Sequence, residues 1–386
     1  MDWQIPLSDI DFGPEESLAV QKVLDGRWLT MGAVTQAFEQ EFAAYIGSKH
    51  AIAVTNCTAA LHLACLVLGL GSGDEVILPS LTFVATANAV RYVGATPVFA
   101  DVESEQDLNI SPRAIERCIT GRTRAILVMH YGGFACDMTK IMALAKAHHL
   151  VVIEDAAHAI GSELEGRKLG TWGTIGCYSF FSNKNLTTGE GGMLVTDDDS
   201  IAKRLRLLRS HGMTAMTWDR HQGHGWSYDV VVLGYNYRID EIRSALGRVQ
   251  LSKLDRNNAF RRRLTALYRD YLQELAPEVT LPFEKANGVS ACHLFPILLP
   301  KHNKRDAFME QMKAQGIQTS IHYPPVHQFQ AYSGIGQPVK DALRVTEEVA
   351  SREVTLPLYP ALTDEQVQIV AQAVQSASKN SSYNNA

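Results

Sequence analysis

Three segments of the chain carry residues whose types suit the chemistry of one cofactor. Asp155 and His158 lie at the end of the apolar run LVVIED and just after it, Lys184 lies in SFFSNKNLTTGEGG, and Thr58 starts a helical pattern in TNCTAAL. A lysine amine forms a Schiff base with an aldehyde, and a carboxylate keeps a pyridine nitrogen protonated. A helix N-terminus with a hydroxyl group binds phosphate. Together the segments predict a site for pyridoxal 5′-phosphate.

Each segment by itself has an ordinary structural explanation. Asp155 and Thr58 are of residue types found at helix N-termini, and a lone lysine is most often a solvated surface charge. Their combination is more informative, because the carboxyl ends of strands in open α/β sheets form the crevice where ligands bind.

A sheet covered by helices is the scaffold that would bring these segments together. Short apolar runs alternate with helical patterns over residues 50–155, and two further apolar runs follow. The runs are HAIAV, EVILP, TPVFADV, RAILVMH, LVVIED, CYSFF and GGMLVT. Continuous apolar strands separated by helices are typical of a mostly parallel sheet that is buried on both faces. The predicted fold class is therefore α/β.

The pattern changes after the last of these runs. A long helical segment beginning at RIDEIRSALG leads into a region with a smaller α+β pattern, whose predicted strands are 293–299 and 317–323. We therefore predict a large domain over residues 1–250 and a small C-terminal domain over 251–375. The polar tail 376–386 is predicted to be disordered.

Composition excludes several other classes of protein. The 386 residues include 36 Lys and Arg against 41 Asp and Glu, a net charge of −5, so there is no bulk attraction for nucleic acid or an anionic membrane. No run of about 18 apolar residues predicts a membrane-spanning helix, and the N-terminus does not look like a secretory signal. The six cysteines lack metal-site or redox-motif spacing. We expect a cytoplasmic protein without a metal.

Ordered motifs along nearly the whole chain carry a family resemblance. EDAAHAIGS, YSFFSNKNLTTGEGGML and GYNYRIDEIRSALG, with IHYPPVHQFQAY near the end, resemble the DegT/DnrJ/EryC1/StrS sugar aminotransferases. The resemblance implies the fold-type I architecture of pyridoxal phosphate enzymes, as in aspartate aminotransferase. The sheet would then be mixed and mostly parallel.

The resemblance also implies a role for each candidate residue. Lys184 would be catalytic, as the Schiff-base lysine that moves the proton. The cofactor-binding residues would be Asp155 at the pyridinium nitrogen, His158 near the phenolate, Ser179, Thr58 and the backbone of Cys57 at the phosphate, Phe83 on the ring face, and Asn236 at the phosphate of the neighbouring subunit. The substrate-binding residues would be Arg238, His322 and Tyr323. Cys57 departs from the family, which usually has glycine there, and Phe83 and His322 also have ordinary readings as a core residue and a strand histidine.

The function implied is transfer of an amino group from glutamate or glutamine to a nucleotide-linked keto-sugar, with a 4-keto-6-deoxy hexose favoured. The cofactor would alternate with pyridoxamine 5′-phosphate, and the enzyme would be a homodimer. The segment 213–236 is a candidate for the dimer interface. Alternatives are a keto-cyclitol aminotransferase and a regulatory relative that binds the cofactor without turnover. A sugar dehydratase of the same fold is disfavoured, because such relatives have histidine where Lys184 stands.

Overall fold

A seven-stranded sheet forms the centre of the part of the chain that the structure describes. The computed structural model describes residues 3–215, 218, 223, 227–335 and 342–381. The strand order is β1-β9-β8-β5-β4-β2-β3, and β9 runs antiparallel to both of its neighbours while the other pairs are parallel. These strands are β1 His50–Val54, β2 Glu75–Pro79, β3 Thr96–Ala100, β4 Thr123–Met129, β5 Val151–Asp155, β8 Ile175–Ser179 and β9 Gly192–Thr196, with a small hairpin of β6 Glu163–Leu164 and β7 Arg167–Lys168 between β5 and β8. The predicted mixed, mostly parallel sheet is confirmed.

Helices cover both faces of this sheet, which explains why its strands are apolar along their whole length. Every residue of β2, β8 and β9 is buried, as expected for strands without a solvent face. Two separate apolar clusters contain side chains of the inner strand β4, Ile126 in one and Leu127 in the other. The helices of this region are α1 Pro14–Asp25, α2 Ala33–Ile46, α3 Cys57–Val67, α4 Val84–Tyr92, α5 Pro112–Cys118, α6 Met138–Ala147 and α7 Asp199–Arg209.

The C-terminal region packs around a two-stranded antiparallel sheet, in an apolar core that also includes Met129 and Tyr131 from the large-sheet region. Residues 317–323 do not form the predicted strand: they make single bridges, Ile317 with Ile5 and Ser320 with Thr355. Two different neighbours share the segment, so no continuous ladder forms. The elements are α8 Glu241–Leu275, β10 Phe295–Leu298, α9 Arg305–Ala314, α10 Arg344–Arg352, β11 Glu353–Leu356 and α11 Asp364–Ser381.

The long helix α8 belongs to both regions. Leu254 packs in one core of the large sheet, whereas Leu264 and Tyr268 pack in the C-terminal core. The predicted boundary at 250/251 therefore falls inside a continuous helix. The start of the chain also contacts the C-terminal region, since Ile5 forms a single parallel bridge with Ile317.

The predicted tail needs a correction at its start. Helix α11 continues to Ser381, so residues 376–381 are helical rather than disordered, and 382–386 lie outside the described residues. The reason is that Ala373 and Ala377 continue the buried side of the helix by one more turn. None of the helices described is both long and apolar enough to span a membrane.

Candidate active site

Nine of the eleven candidate residues line one cavity. It measures about 790 Å³ and lies where β5 and β8 end and α3 begins. Two candidates do not line it: Asn236 is exposed and Arg238 donates to Ser210 Oγ at 3.0 Å. The nine residues that line the cavity are Cys57, Thr58, Phe83, Asp155, His158, Ser179, Lys184, His322 and Tyr323.

The carboxylate of Asp155 is buried at the last position of β5, held by two donors. Thr86 Oγ1 donates to Oδ2 at 2.8 Å, and the Ala157 N–H donates to Oδ1 at 3.1 Å. Burial raises the pKa of Asp155, and the two hydrogen bonds and the charge of Lys184 oppose that rise. A cation placed against this carboxylate would therefore be well accommodated.

The neighbouring acid, Glu154, has a purely structural role. Its carboxylate accepts the N–H groups of Gly170 at 2.7 Å and Gly173 at 2.6 Å. His130 Nε2 lies 3.0 Å from the same carboxylate. Successive strand residues face opposite sides of a sheet, so only Asp155 of this pair reaches the cavity.

The Lys184 amine lies in the turn after β8, and the protein lowers its basicity. Burial around the amine lowers the pKa of Lys184 from 10.5 to about 8, although the nearby Asp155 and Cys57 act in the opposite direction. The side chain is half-buried and lines the cavity. A substantial fraction of the amine is therefore neutral near physiological pH, as a nucleophile and a proton carrier require.

The first turn of α3 offers an anion site at the other end of the cavity. The Asn56 side chain caps the helix by accepting the Ala59 N–H at 2.8 Å, and Ala60 donates to the Asn56 carbonyl. The first N–H groups of a helix have no intrahelical acceptor, so those of Cys57 and Thr58 are left for a ligand. Burial raises the pKa of the Cys57 thiol, which is therefore neutral and suited to lie beside an anion.

Phe83 is not a core residue. It is 56% exposed at the N-cap of α4, and its ring centre lies 5.9 Å from that of Tyr323. A large aromatic face exposed to a cavity is available for stacking on a flat ligand.

Two histidines in the cavity have tautomers set by their partners. The Gly132 N–H donates to His158 Nδ1 at 3.3 Å, so the ring proton of neutral His158 is on Nε2, which lies 2.9 Å from Tyr323 Oη. Burial lowers the pKa of His158 well below its usual value. The neutral ring of His158 therefore presents a donor at Nε2.

His322 has the opposite arrangement. Thr355 Oγ1 donates to Glu353, so it accepts from His322 Nδ1 at 2.8 Å. His322 Nε2 is then an acceptor. Burial lowers the pKa of His322 to about 3, which keeps the ring neutral. The peptide bond between His322 and Tyr323 is cis.

The structure adds residues that the sequence analysis missed. Thr86, which donates to Asp155, lies one helical turn after Phe83, and this spacing was the available signal that the two residues share one side of α4. Asn56 is a favourable N-cap residue immediately before Thr58's helix. His293 contacts Lys184 and the side chain of Asn185, and no local pattern around residue 293 indicates this.

Comparison with known proteins identifies one family over nearly the whole length of the chain. The model of the DegT/DnrJ/EryC1/StrS aminotransferase family matches residues 11–375. The spore coat polysaccharide biosynthesis protein SpsC of Bacillus subtilis is 40% identical over 385 residues, which cover 98% of this chain and 97% of SpsC.

Two solved structures superpose closely. The PLP-form of Spr1654 from Streptococcus pneumoniae, described as a putative sugar aminotransferase, has a TM-score of 0.89 at 26% identity, covering 97% of this chain and 99% of its own. DesI, solved in the presence of its TDP-sugar product, has a TM-score of 0.88 at 30% identity, covering 99% of this chain and 94% of its own.

The chain therefore belongs to the DegT/DnrJ/EryC1/StrS family and is a pyridoxal phosphate-dependent aminotransferase. The predicted family, fold class, enzyme class and cofactor are confirmed.

Proposed function

We propose that this member of the aminotransferase family transfers an amino group from glutamate or glutamine to a nucleotide-linked keto-sugar, with a 4-keto-6-deoxy hexose as the favoured acceptor. The observation that carries the proposal is the grouping, around one cavity, of a lysine amine with a lowered pKa, a buried carboxylate and an open helix N-terminus. The TDP-sugar product of DesI supports the substrate class.

The residues present fit pyridoxal 5′-phosphate. Asp155 would hold the ring nitrogen, Phe83 would cover a ring face, and the first turn of α3 with Thr58 and Ser179 would hold the phosphate. The cavity volume of about 790 Å³ leaves room for a second ligand beside the cofactor. When bound, the cofactor supplies an electron sink for the carbon that loses or gains a proton.

In this proposal Lys184 moves the proton. Its amine can accept a proton from a substrate carbon and return it, because its pKa of about 8 lies close to the working pH. His158, whose Nε2–H lies against Tyr323 Oη, would lie near the phenolate side of the cofactor as a neutral group and would not add a second base. Tyr323 would then lie between His158 and the bound sugar.

A partner subunit would complete the site. Among the described residues that line the cavity, Lys184 is the only lysine or arginine, yet the proposed substrate carries a diphosphate. Asn236 and Arg238 lie outside the cavity of their own chain, next to an exposed apolar stretch in which Leu233 is 87% exposed and Val231 is 55% exposed. We propose a homodimer in which this stretch is covered and Asn236 and Arg238 face the partner's cavity. The six cysteines are unpaired, which supports a cytoplasmic location.

The test begins with the spectrum of the purified enzyme loaded with pyridoxal 5′-phosphate. We expect a visible band that glutamate or glutamine bleaches and that one nucleotide keto-sugar from a panel restores. Lys184→Ala should lose the band and the transfer, whereas Lys140→Ala, which removes an exposed lysine paired with Asp137, should keep both. A panel in which only a keto-cyclitol restores the band would overturn the substrate class, and a band that no amino donor bleaches would overturn the reaction.

A further inference from the structure

A buried histidine that was not among the candidate residues lies against the Lys184 amine. His293 Nε2 is 3.4 Å from Lys184 Nζ, although 109 residues separate the two in sequence. His293 is 5% exposed, and its ring centre is 4.4 Å from that of His158. The position of His293 makes its tautomer important, because a nitrogen that carries a proton would donate to the amine's lone pair, whereas a bare nitrogen would accept an amine N–H.

Backbone carbonyls, which can only accept, determine that tautomer. Asn258 Nδ2 donates to the Ile160 carbonyl at 2.9 Å, so Asn258 Oδ1 faces the side-chain amide of Asn185. Asn185 Nδ2 donates to Asn258 Oδ1 at 2.7 Å and to the Ala291 carbonyl at 2.8 Å. Both amide orientations are therefore fixed by carbonyl partners.

The remaining atom of Asn185, Oδ1, is an acceptor, and it lies 2.9 Å from His293 Nδ1. The ring proton of neutral His293 is consequently on Nδ1, and Nε2 presents a lone pair to Lys184. Burial lowers the pKa of His293 well below its usual value, so the ring stays neutral. Asn185, the residue next to the lysine, thus sets the tautomer of the histidine that faces the lysine.

We propose that His293 is a positioning residue of fixed tautomer, which accepts one N–H of Lys184 whenever that amine is not bonded to the cofactor. The inference rests on the proposed role of Lys184 as the proton carrier. With one N–H held by His293, the lone pair of the neutral amine is free to take a proton from the substrate carbon. The opposite tautomer would occupy that lone pair and stop the transfer.

Two amide variants of His293 separate this role from packing. In His293→Gln the amide oxygen reaches the place of Nε2 and can accept from Lys184, whereas in His293→Asn the amide reaches only the place of Nδ1. We expect kcat to fall by about 10–100-fold in His293→Asn, with KM for both substrates within about 2-fold, and His293→Gln to recover most of the loss. Equal losses in the two variants, following their melting temperatures, would overturn the proposal.

A measurement without turnover tests the tautomer itself. Full-length enzyme with ¹⁵N-labelled histidine is examined by NMR, both free of cofactor and loaded with pyridoxamine 5′-phosphate, and the His293 signals are identified by their loss in His293→Gln. We expect a protonated Nδ1 and a bare Nε2 between pH 6 and 8. A protonated Nε2 would refute the proposal whatever the enzyme's substrate, while the expected tautomer with no transfer activity would count against the proposed function alone. Asn185→Leu, which removes the acceptor of Nδ1–H, should allow the proton to move to Nε2.

Discussion

The basicity of Lys184 gives the sharpest prediction, because the protein lowers it without any help from the cofactor. An ordinary lysine with a pKa of 10.5 is only about 0.1% neutral at pH 7.5. With the pKa of Lys184 at about 8, about 24% of the amine is neutral at that pH, a gain of about 240-fold. The cause is burial of the ammonium form, which is only partly offset by Asp155.

The assay is competitive acetylation of the cofactor-free enzyme, followed by mass spectrometry of the Lys184 peptide across pH 6–11. We expect the labelling of Lys184 to reach its half-maximum near pH 8. Lys140 serves as an internal control, because its hydrogen bond with the Asp137 carboxylate raises its pKa above 10.5. The position of the midpoint, unlike the absolute rate, does not depend on how accessible each amine is to the reagent.

The variant Asp155→Asn tests the electrostatic cause of the pKa of Lys184. The carboxylate favours the charged form of Lys184, so its removal should lower the midpoint, by about 1 pH unit for an opposite charge at short range. Lys140 should be unaffected in the variant. If labelling of Lys184 in the wild type keeps rising to pH 10, or if the midpoint in Asp155→Asn moves to higher pH, the electrostatic reasoning is wrong.

Three further predictions concern stability and assembly. Glu241→Gln should lower the free energy of unfolding by about 1.5–3 kcal/mol in urea titrations, because the buried carboxylate accepts three backbone N–H groups at the start of α2; an unchanged midpoint would show that these bonds are not stabilising. Gly170→Ala should lower it by at least about 1–3 kcal/mol, since Gly170 has a φ of +93° and its added methyl would overlap Tyr178; an equally stable variant would contradict this. Leu233→Asp should weaken the homodimer by about 10–100-fold in sedimentation, while Ile369→Asp, at an exposed position on α11, should not; equal dimerisation in both would exclude the proposed interface.

The sequence alone was sufficient to predict the features that depend on neighbouring residues. Apolar runs alternating with helical patterns identified the seven strands of the central sheet, and the order of Thr58, Asp155 and Lys184 pointed to the cofactor. These residues lie at strand ends and at a helix start, and such positions follow from periodicity and capping over a few neighbouring residues. For the same reason the family motifs could be recognised from the sequence without any structure.

Where two contacting residues come from distant parts of the chain, only the tertiary structure shows that they meet. Glu241 binds the start of α2 across more than 200 residues, and Thr86 reaches Asp155 across 69. His293 meets Lys184 because α8 and the C-terminal region fold back onto the sheet, and the tautomer of its ring depends on carbonyl groups of residues 160 and 291. Hydrogen-bond direction and burial are properties of packed neighbours, so a one-dimensional pattern contains the residue types but neither the contacts nor the pKa values that follow from them.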